Sequence, residues 1–518
     1  MLKLSDLALR PDLQLGPMLV SPSRRLVEGP GGHAHLEPLI MQVFLLLLDA
    51  AGKVVTRTEL FDQCWGGVIV GDDSLNRAIA KVRRTGGQVA PGLFEIETIP
   101  RTGYRLTGHI LQCIQTLSLA TDPDQAAAAG SVSRRLVVGG SAAAALALAG
   151  GAWWVGRDRR DPGASALVAK AQQIMRTSMR GTDGEAANLL REAVAIDPGN
   201  AHAWGLLALA LRGVAEESDT AEVSKAVLDC EAAARHALAL EPGEPNARTA
   251  LATIRPEFGN WGATEDALRP IVRDAPDNIP ALTYLVMILQ AVGRAQESWN
   301  LNEQALAVDP LSPVLLFRRG LKLWIKGRNS EADIAIDRAL QLWPKHSAVF
   351  NARLYIFAFT GRAGAALAAL NDDNVRPPSF RPESIVYWRS SLRALETGTS
   401  ADIDAAVRTN LAAAPISPYF ATASMMVLSV LGRVDEAFAV AEGTLLRRGK
   451  LIGTIWASKK QMAVYDQYWR RTMNLFTPAT AAMRSDPRFE RLCNGMGMID
   501  YWRKYRVAPD PIFGIKFI

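Results

Sequence analysis

The chain carries a lattice of prolines and glycines that repeats every 34 residues between residues 242 and 378. Prolines stand at Pro242, Pro276, Pro310, Pro344 and Pro378, and glycines follow the same interval at Gly259, Gly293, Gly327 and Gly361. The two series are offset by 17 residues, half a repeat. Glycine can adopt the left-handed conformation of a tight turn, and proline ends a helix because it cannot extend the hydrogen-bond ladder. The spacing therefore predicts successive helical hairpins, each with a glycine turn and a proline break.

The hairpins share further features with one another. Small residues such as Ala305 and Ala339 fall in the second helix, and three units end in ALAVDP (305–310), ALALEP (237–242) and AVAIDP (193–198). With the 34-residue period, these features resemble the tetratricopeptide repeat and imply an α-solenoid. Pro198 and Pro242 are 44 residues apart, so the first repeat carries a ten-residue insertion near residues 216–223. We expect six to seven repeats over residues 164–449, degenerate beyond Pro378.

Stacked repeats form a concave groove, which relatives use for protein partners. The resemblance therefore implies that residues 164–449 bind or sense a ligand, protein or peptide, and a purely structural solenoid is the alternative. Residues 450–518 are rich in aromatic side chains, which predicts a helical cap packed against the last repeat.

Length and composition bound the class of protein. A chain of 518 residues is too long for one ordinary domain and should divide into at least two or three units. With 49% hydrophobic and 21% charged residues, it is neither a disordered tail nor a polytopic membrane protein. Its 4 cysteines are far apart and form no CxxC pair, which argues against a disulfide framework or a structural metal.

The first 110 residues have a different sequence pattern, which mixes predicted short strands with predicted helices. Short apolar pieces separated by Gly, Pro and Ser over residues 13–36 predict a small antiparallel sheet. An apolar face over residues 39–48 predicts a first helix. Thr56 stands three residues before Glu59, a capping box that predicts the start of a second helix. Asp72 and Asp73 favour the N-terminus of a third helix.

The third helix presents two faces. Leu75, Ile79 and Val82 recur at the spacing of a core-facing stripe. A second stripe combines small and cationic side chains that could enter a major groove: Ser74, Arg77, Ala78, Lys81 and Arg84. Residues 1–110 contain 12 Lys+Arg and 11 Asp+Glu, so DNA binding has to be argued from this stripe and not from bulk charge. A solvated helix face is the alternative interpretation of the same residues.

Three motifs in order cover almost the whole segment. They are GKVVTRTELFDQCWG (52–66), DDSLNRAIAKVRR (72–84) and IETIPRTGYRL (96–106). Together they resemble the OmpR/PhoB-type winged helix-turn-helix DNA-binding domain, an α+β fold, in an otherwise mainly α multidomain chain. The resemblance implies that the third helix recognises double-stranded DNA and that the following hairpin forms a wing. The residues it implies at the DNA are Ser74, Arg77, Lys81, Arg83 and Arg84 on the helix, with Thr98 and Arg101 on the wing.

This sequence departs from the family pattern at a few positions. Ala78 and Ala80 stand where many relatives carry polar or basic residues, and Pro100 occupies a wing position where some carry Arg. These departures predict a lower affinity or a different DNA site. The chain starts directly with this segment, so we do not expect aspartyl phosphorylation of an upstream receiver to be its input.

Residues 136–155, from Leu136 to Val155, contain no charged side chain, and Arg135 and Arg157 flank them. Twenty helical residues span about 30 Å, the thickness of a bilayer core. Trp153 and Trp154 suit the membrane interface. The segment therefore predicts a transmembrane helix over residues 134–156, joined to the first domain by a linker at 111–133. A buried or flexible Ala/Gly hinge is the alternative, and Arg134-Arg135 also resembles a twin-arginine signal.

DNA is cytoplasmic, so a membrane span would place the N-terminus in the cytoplasm and the repeats in the periplasm of a bacterium. This arrangement resembles the membrane-integrated ToxR/CadC-like regulators. An entirely cytoplasmic protein is the alternative localisation.

Catalytic motifs are missing from the sequence. We find no Walker loop, GxSxG or HExxH, and the 6 histidines are scattered. We therefore expect no enzyme activity, no cofactor and no metal. The leading hypothesis is a one-component, membrane-anchored transcriptional regulator that forms a homodimer on DNA and senses a partner through its repeats. The competing hypothesis is a tetratricopeptide-like scaffold whose winged helix contacts protein.

Overall fold

A computed structural model describes residues 7, 10–65, 72–100, 102–111, 161–179, 181–217, 222–255, 259–452 and 472–517. The chain divides into two compact units, residues 1–173 with 189–200 and residues 174–188 with 201–518. Nearly all of the predicted linker and the whole apolar segment 136–155 lie outside the described residues. In the part of the chain that is described, no helix combines the length and the apolar character needed to cross a bilayer.

The first unit opens with a four-stranded antiparallel sheet in the order β1-β2-β3-β4. Its strands are β1 (Leu13–Leu15), β2 (Met18–Ser21), β3 (Leu26–Gly29) and β4 (Gly32–His35). Val20 pairs with Val27, and both side chains are buried on the inner face. This confirms the small sheet that the short apolar pieces predict.

Three helices and a second sheet follow in this unit. They are α1 (Pro38–Asp49), β5 (Val55–Thr56), α2 (Arg57–Trp65), α3 (Asp72–Val89), β6 (Glu95–Ile99) and β7 (Gly103–Thr107), with the sheet order β5-β7-β6. Phe44 of α1 stacks on Phe94 at 5.2 Å between ring centroids, which joins α1 to the start of β6. The N–H of Gly31 donates to the carbonyl of Val89 at 2.8 Å, which ties the first sheet to the end of α3.

The capping box forms as the sequence predicts. The Thr56 N–H donates to Glu59 Oε2 at 2.8 Å, and the Glu59 N–H donates to Thr56 Oγ1 at 3.1 Å. The hydrogen bonds from the backbone and side chain of Thr56 lower the pKa of Glu59. The reciprocal pair satisfies two donors that the first turn of α2 would leave open.

The second unit is built mainly from helical hairpins. Two helices that are divided between the units, α4 (Pro162–Thr177) and α5 (Thr182–Ile196), precede seven helix pairs in the described parts of residues 201–446. The pairs are α6 (Ala201–Glu217) and α7 (Glu222–Leu240), α8 (Pro245–Ile254) and α9 (Trp261–Asp274), α10 (Ile279–Ala291) and α11 (Ala295–Val308), α12 (Pro313–Ile325) and α13 (Asn329–Leu342), α14 (Ser347–Ala358) and α15 (Ala363–Asn371), α16 (Pro382–Thr397) and α17 (Ser400–Ala413), α18 (Pro418–Val430) and α19 (Val434–Leu446).

The glycine lattice sets the turns inside these pairs. Gly293, Gly327 and Gly361 have φ values of +81°, +74° and +74°, in the left-handed region. The residue after each glycine donates its N–H to a carbonyl five positions earlier, as from Arg294 to Leu289 at 2.9 Å. This bond satisfies a carbonyl at the end of the first helix. The predicted alternation of helix, glycine turn and helix is confirmed.

The ten-residue insertion lengthens helices. α6 has 17 residues and α7 has 19, whereas α10 and α11 have 13 and 14. The extra residues therefore extend both helices of the first regular pair, and residues 218–221 between them lie outside the described residues.

The C-terminal segment, residues 472–517, contacts two separate parts of the solenoid. It contains the short helices α20 (Ala481–Arg484), α21 (Arg488–Gly495) and α22 (Met498–Tyr505). Arg488 forms an ion pair with Asp435 of the last hairpin at 2.8 Å, as a cap on the last repeat would. The segment also reaches hairpins about 200 residues earlier, because Trp502 Nε1 donates to the Val292 carbonyl at 2.9 Å. Trp261 Nε1 likewise donates to the Met496 carbonyl at 2.6 Å.

Candidate nucleic-acid interface

Helix α3 separates a buried face from an exposed one. Leu75, Ile79 and Val82 are almost completely buried, as the core-facing stripe predicts. Arg77, Lys81 and Arg84 are exposed on the other side. In the described part of the first unit, no ion pair holds Lys81 or Arg84. Their charges are therefore available to an anionic partner.

The exposed face of α3 differs from the predicted stripe at one residue, Ala78. Ala78 is only 3% exposed, because at 3.6 residues per turn it lies beside the core residues Leu75 and Val82. Its assignment to the exposed stripe is wrong. Ala80 is exposed and lies between Asn76 and Arg84 on the helix projection. A methyl group at the centre of a cationic face lets a helix backbone approach closely.

Arg83 connects α3 to the wing. Its Nε and Nη2 atoms donate to the Ile96 carbonyl at 2.9 and 2.5 Å, and Nη2 also donates to Thr98 Oγ1 at 2.8 Å. Two of the predicted DNA-facing residues, Arg83 and Thr98, are therefore brought together and bonded to each other. This contact fixes strand β6 against the exposed face of α3.

The wing is the hairpin of β6 and β7. Ile99 pairs with Gly103, and the Thr102 N–H closes the turn on the Ile99 carbonyl at 3.1 Å. Gly103 has to be glycine because a Cβ there would lie 2.0 Å from the carbonyl oxygen of Val55. Arg101 lies outside the described residues, and so does the side chain of Ser74 within α3.

One cation of the wing already has a partner. The Nε and Nη2 atoms of Arg105 donate to Glu97 Oε2 across the two strands at 3.1 and 2.6 Å. Both side chains are exposed or half-exposed, so the pair adds little stability, but it reduces the net positive charge on this side of the hairpin.

A polar network beside the exposed face involves three residues that the sequence interpretation missed. Arg57 Nη1 donates to Tyr104 Oη at 3.1 Å, and the Tyr104 hydroxyl donates to Asn76 Oδ1 at 2.8 Å. Arg57 Nη2 lies 3.4 Å from the same Asn76 oxygen. These residues are 28 and 47 positions apart in the chain. No local periodicity links them, and only the packing of β7 beside α2 and α3 brings them together.

The described residues hold no cluster of three or more His, Cys, Asp or Glu side chains that could bind a metal ion. Three cysteines, Cys64, Cys230 and Cys493, are buried free thiols, and Cys113 lies outside the described residues. Burial raises the pKa of Cys64 and of Cys230 to about 12. Both thiols are therefore protonated near neutral pH, whereas a metal ligand has to be a thiolate.

The N-terminal part of the chain is similar in sequence to known transcriptional regulators. The pattern of the family described as "Transcriptional regulatory protein, C terminal" matches residues 31–106. The chain carries an OmpR/PhoB-type domain at its N-terminus. The resemblance that the three sequence motifs indicate is confirmed.

Several curated regulators are similar over the same region. The transcriptional activator CadC of Escherichia coli is 28% identical over 100 residues, which cover 19% of each chain. The transcriptional regulator HilA of Salmonella typhi is 38% identical over 71 residues, 14% of this chain and 13% of HilA. The regulator PhoB of Pseudomonas aeruginosa is 28% identical over 96 residues, 18% of this chain and 41% of PhoB. The similarity thus spans less than half the length of each of these relatives.

Solved structures are similar to each part separately. The DNA-binding domain of Escherichia coli CadC is 27% identical, covers 19% of this chain and 94% of that chain, and has a TM-score of 0.18. A tetratricopeptide repeat protein from Parabacteroides merdae is 13% identical and covers 48% of this chain and 92% of that chain, with a TM-score of 0.31. The repeat architecture is established by the helix pairs and glycine turns of this chain itself.

Proposed function

We propose that the chain is a transcriptional regulator that binds double-stranded DNA through residues 1–110. The observation that supports this most strongly is the exposed face of α3, where Arg77, Lys81 and Arg84 surround Ala80. Small side chains allow the helix into a major groove, and the flanking cations reach phosphates or base edges. The similarity of residues 31–106 to regulator domains supports the same function.

Within this proposal, the implied DNA residues divide into two roles. Arg77, Lys81 and Arg84, with Ser74 earlier in the helix, contact the duplex directly. Arg83 and Thr98 hold the wing beside the helix through their mutual hydrogen bond. Arg101, which follows β6 in the sequence, reaches the adjacent backbone or minor groove.

Chromatin immunoprecipitation of the full chain in its own cell tests this function. We expect enriched promoter sites that share one sequence motif. A double variant, Lys81→Ala with Arg84→Ala, should lose these sites at equal protein abundance. Lys53→Ala removes an exposed cation outside α3 and should keep them. Absence of enrichment, or identical enrichment in the double variant, would contradict the proposal.

We also propose that residues 136–155 anchor the chain in the bacterial inner membrane, with the winged helix in the cytoplasm and the repeats at 164–449 in the periplasm. The uncharged run between paired and clustered arginines supports this topology. In this arrangement a ligand or protein bound by the repeats biases dimerisation on DNA. An alkaline phosphatase reporter fused after Arg160 should be active, and an inactive phosphatase with an active cytoplasmic reporter at the same position would refute the topology.

A further inference from the structure

The direction of the hydrogen bonds around Asn76 is fixed by chemistry. The Arg57 guanidinium has only donors, so the Tyr104 oxygen that faces it at 3.1 Å must accept. The tyrosine proton is then directed to Asn76, whose side-chain atom lies 2.8 Å away. Arg57 Nη2 approaches the same atom at 3.4 Å, and because arginine cannot accept, that atom must be Oδ1.

The orientation of the Asn76 amide follows from this chain of donors. Both lone pairs of Oδ1 face Tyr104 and Arg57, so Nδ2 with its two protons points to the other side. Among the described residues, Nδ2 has no hydrogen-bond partner, and the side chain is exposed. Asn76 therefore presents two donors and no acceptor. Tyr104 is 3% exposed, so its packing holds the arrangement in place.

Asn76 also lies where a base contact is geometrically reasonable. It is the fifth residue of α3, directly before Arg77 and one turn before Ala80. In helix-turn-helix proteins the N-terminal part of the recognition helix contacts base edges. The methyl side chain of Ala80 leaves room for this part of the helix to approach the groove floor.

We propose that Asn76 is a specificity-determining residue that selects guanine because its Nδ2 group, which can only donate, faces the acceptor edge formed by N7 and O6. Guanine offers two adjacent acceptors in the major groove, adenine an acceptor beside a donor, thymine one acceptor beside a methyl group, and cytosine a donor. The usual bidentate contact of asparagine with adenine needs a free Oδ1, which is absent here. Tyr104 and Arg57 are positioning residues that act through Asn76. This inference rests on the proposed DNA-binding function and adds the base that one residue reads.

Selection of bound duplexes from a randomised pool, with the full chain, tests the inference. We expect the wild type to prefer guanine at one position by roughly fivefold over other bases, the lower end of the range for a base contact of this kind. Asn76→Asp keeps the shape but replaces two donors with an acceptor, so the preference at that position should change to cytosine. Lys81→Ala is the matched control, and it should weaken binding while leaving the preference for guanine at the Asn76 position unchanged.

A second variant tests the positioning residues. Tyr104→Phe removes the donor to Oδ1 and lets the amide rotate, so adenine should become as acceptable as guanine at that position alone. Circular dichroism of each variant checks that it is folded. If Tyr104→Phe unfolds, Asn76→Asp still tests the inference, because Asn76 is exposed and its exchange does not disturb the core.

The outcomes separate the two levels of the proposal. If the wild type binds no duplex even at low salt, the proposed function fails and the inference fails with it. If the wild type selects a motif and Asn76→Asp selects the same motif, DNA binding stands and the inference is overturned. A wild-type preference for adenine at the position that Asn76→Asp changes would overturn it as well.

Discussion

At the scale of single residues, Ala78 and Ala80 are two positions apart on one helix but have different roles. Ala78 contributes to the stability of the fold, and Ala80 belongs to the proposed DNA-binding face. Ala78 is buried against the core of the first unit, whereas Ala80 is exposed among the cations of α3. Helical spacing puts Ala78 one turn from the core residues Leu75 and Val82, whereas Ala80 lies one turn from Asn76 and Arg84. The periodicity of α3 therefore already indicates which of the two alanines the core covers.

We expect the same substitution to have opposite effects at the two sites. Ala78→Leu adds volume to a packed core and should lower the free energy of unfolding by about 1–3 kcal/mol. Ala80→Leu should leave thermal stability nearly unchanged but lower the affinity for duplex DNA at least tenfold, because the larger side chain holds the helix out of the groove. Calorimetry and fluorescence anisotropy measure the two effects. Equal DNA affinity in Ala80→Leu and the wild type would contradict the assignment of this face.

Lys322 is a second residue with a measurable signature. It is 4% exposed on α12 and donates to Gln290 Oε1 at 3.2 Å and Ser298 Oγ at 2.5 Å. Burial, and then the nearby charges of Arg318 and Lys326, lower the pKa of Lys322 from 10.5 to about 7, against a smaller opposing effect of Asp510.

The folded state releases this proton near pH 7 and the unfolded chain near pH 10.5, so the unfolded state binds more protons between these values. The free energy of unfolding should therefore rise with pH across this window, by up to about 1.4 kcal/mol per unit from this one group. Lys322→Met should remove that contribution and stabilise the protein most below pH 7. Denaturant melts of both proteins at several pH values measure the free energy of unfolding. The same pH dependence in the wild type and in Lys322→Met would contradict this assignment.

At the scale of elements, the glycine turns are equivalent in backbone conformation but differ in what surrounds them. Gly293 and Gly327 both have a positive φ. A Cβ at Gly293 would lie 2.7 Å from the side chains of Phe476 and Pro509, whereas a Cβ at Gly327 would meet nothing within 4 Å. The turn at Gly293 therefore also supports the C-terminal segment.

Alanine at the two turns should separate these contributions. Gly327→Ala should cost about 1–2 kcal/mol of unfolding free energy, the usual penalty of a left-handed conformation for a residue with a Cβ. Gly293→Ala should cost clearly more, because Phe476 and Pro509 have to move as well. Denaturant melts measure both, and equal costs would show that the C-terminal segment does not pack firmly on this turn.

Elements that depend on local patterns could be predicted from the sequence. The capping box of Thr56 and Glu59, the core stripe of α3 and the glycine turns all follow from spacings of a few residues. Contacts between distant residues could not be predicted. The bond from Tyr501 Oη to Glu265 Oε2, at 2.6 Å, joins residues 236 positions apart, and no periodicity encodes it. The Arg57, Tyr104 and Asn76 network is missed for the same reason.

At the scale of the whole molecule, the C-terminal segment connects parts of the second unit that the repeat pattern treats as independent. In a simple solenoid each repeat contacts only its neighbours. Here residues 472–517 contact both the α9–α11 region and the last hairpin. We expect the second unit to unfold more cooperatively than a nearest-neighbour array would.

Trp502→Ala tests this coupling. The side chain is fully buried and its Nε1 donates to Val292, so truncation should cost about 3–5 kcal/mol and broaden the unfolding transition. Trp502→Phe keeps most of the bulk and should have a smaller effect. Hydrogen exchange should show increased exchange in α10 and in the last hairpin together. Increased exchange confined to residues next to Trp502 would contradict the proposed connection.

The salt dependence of duplex binding tests the central claim most directly. Each phosphate contact releases counterions, so the logarithm of the binding constant of the full chain should fall linearly with the logarithm of salt concentration. We predict that the slope decreases by about one unit in Lys81→Ala and does not change in Lys53→Ala. Equal slopes in the wild type and Lys81→Ala, or no binding at low salt, would contradict the assignment of the exposed face of α3 as the DNA-binding surface.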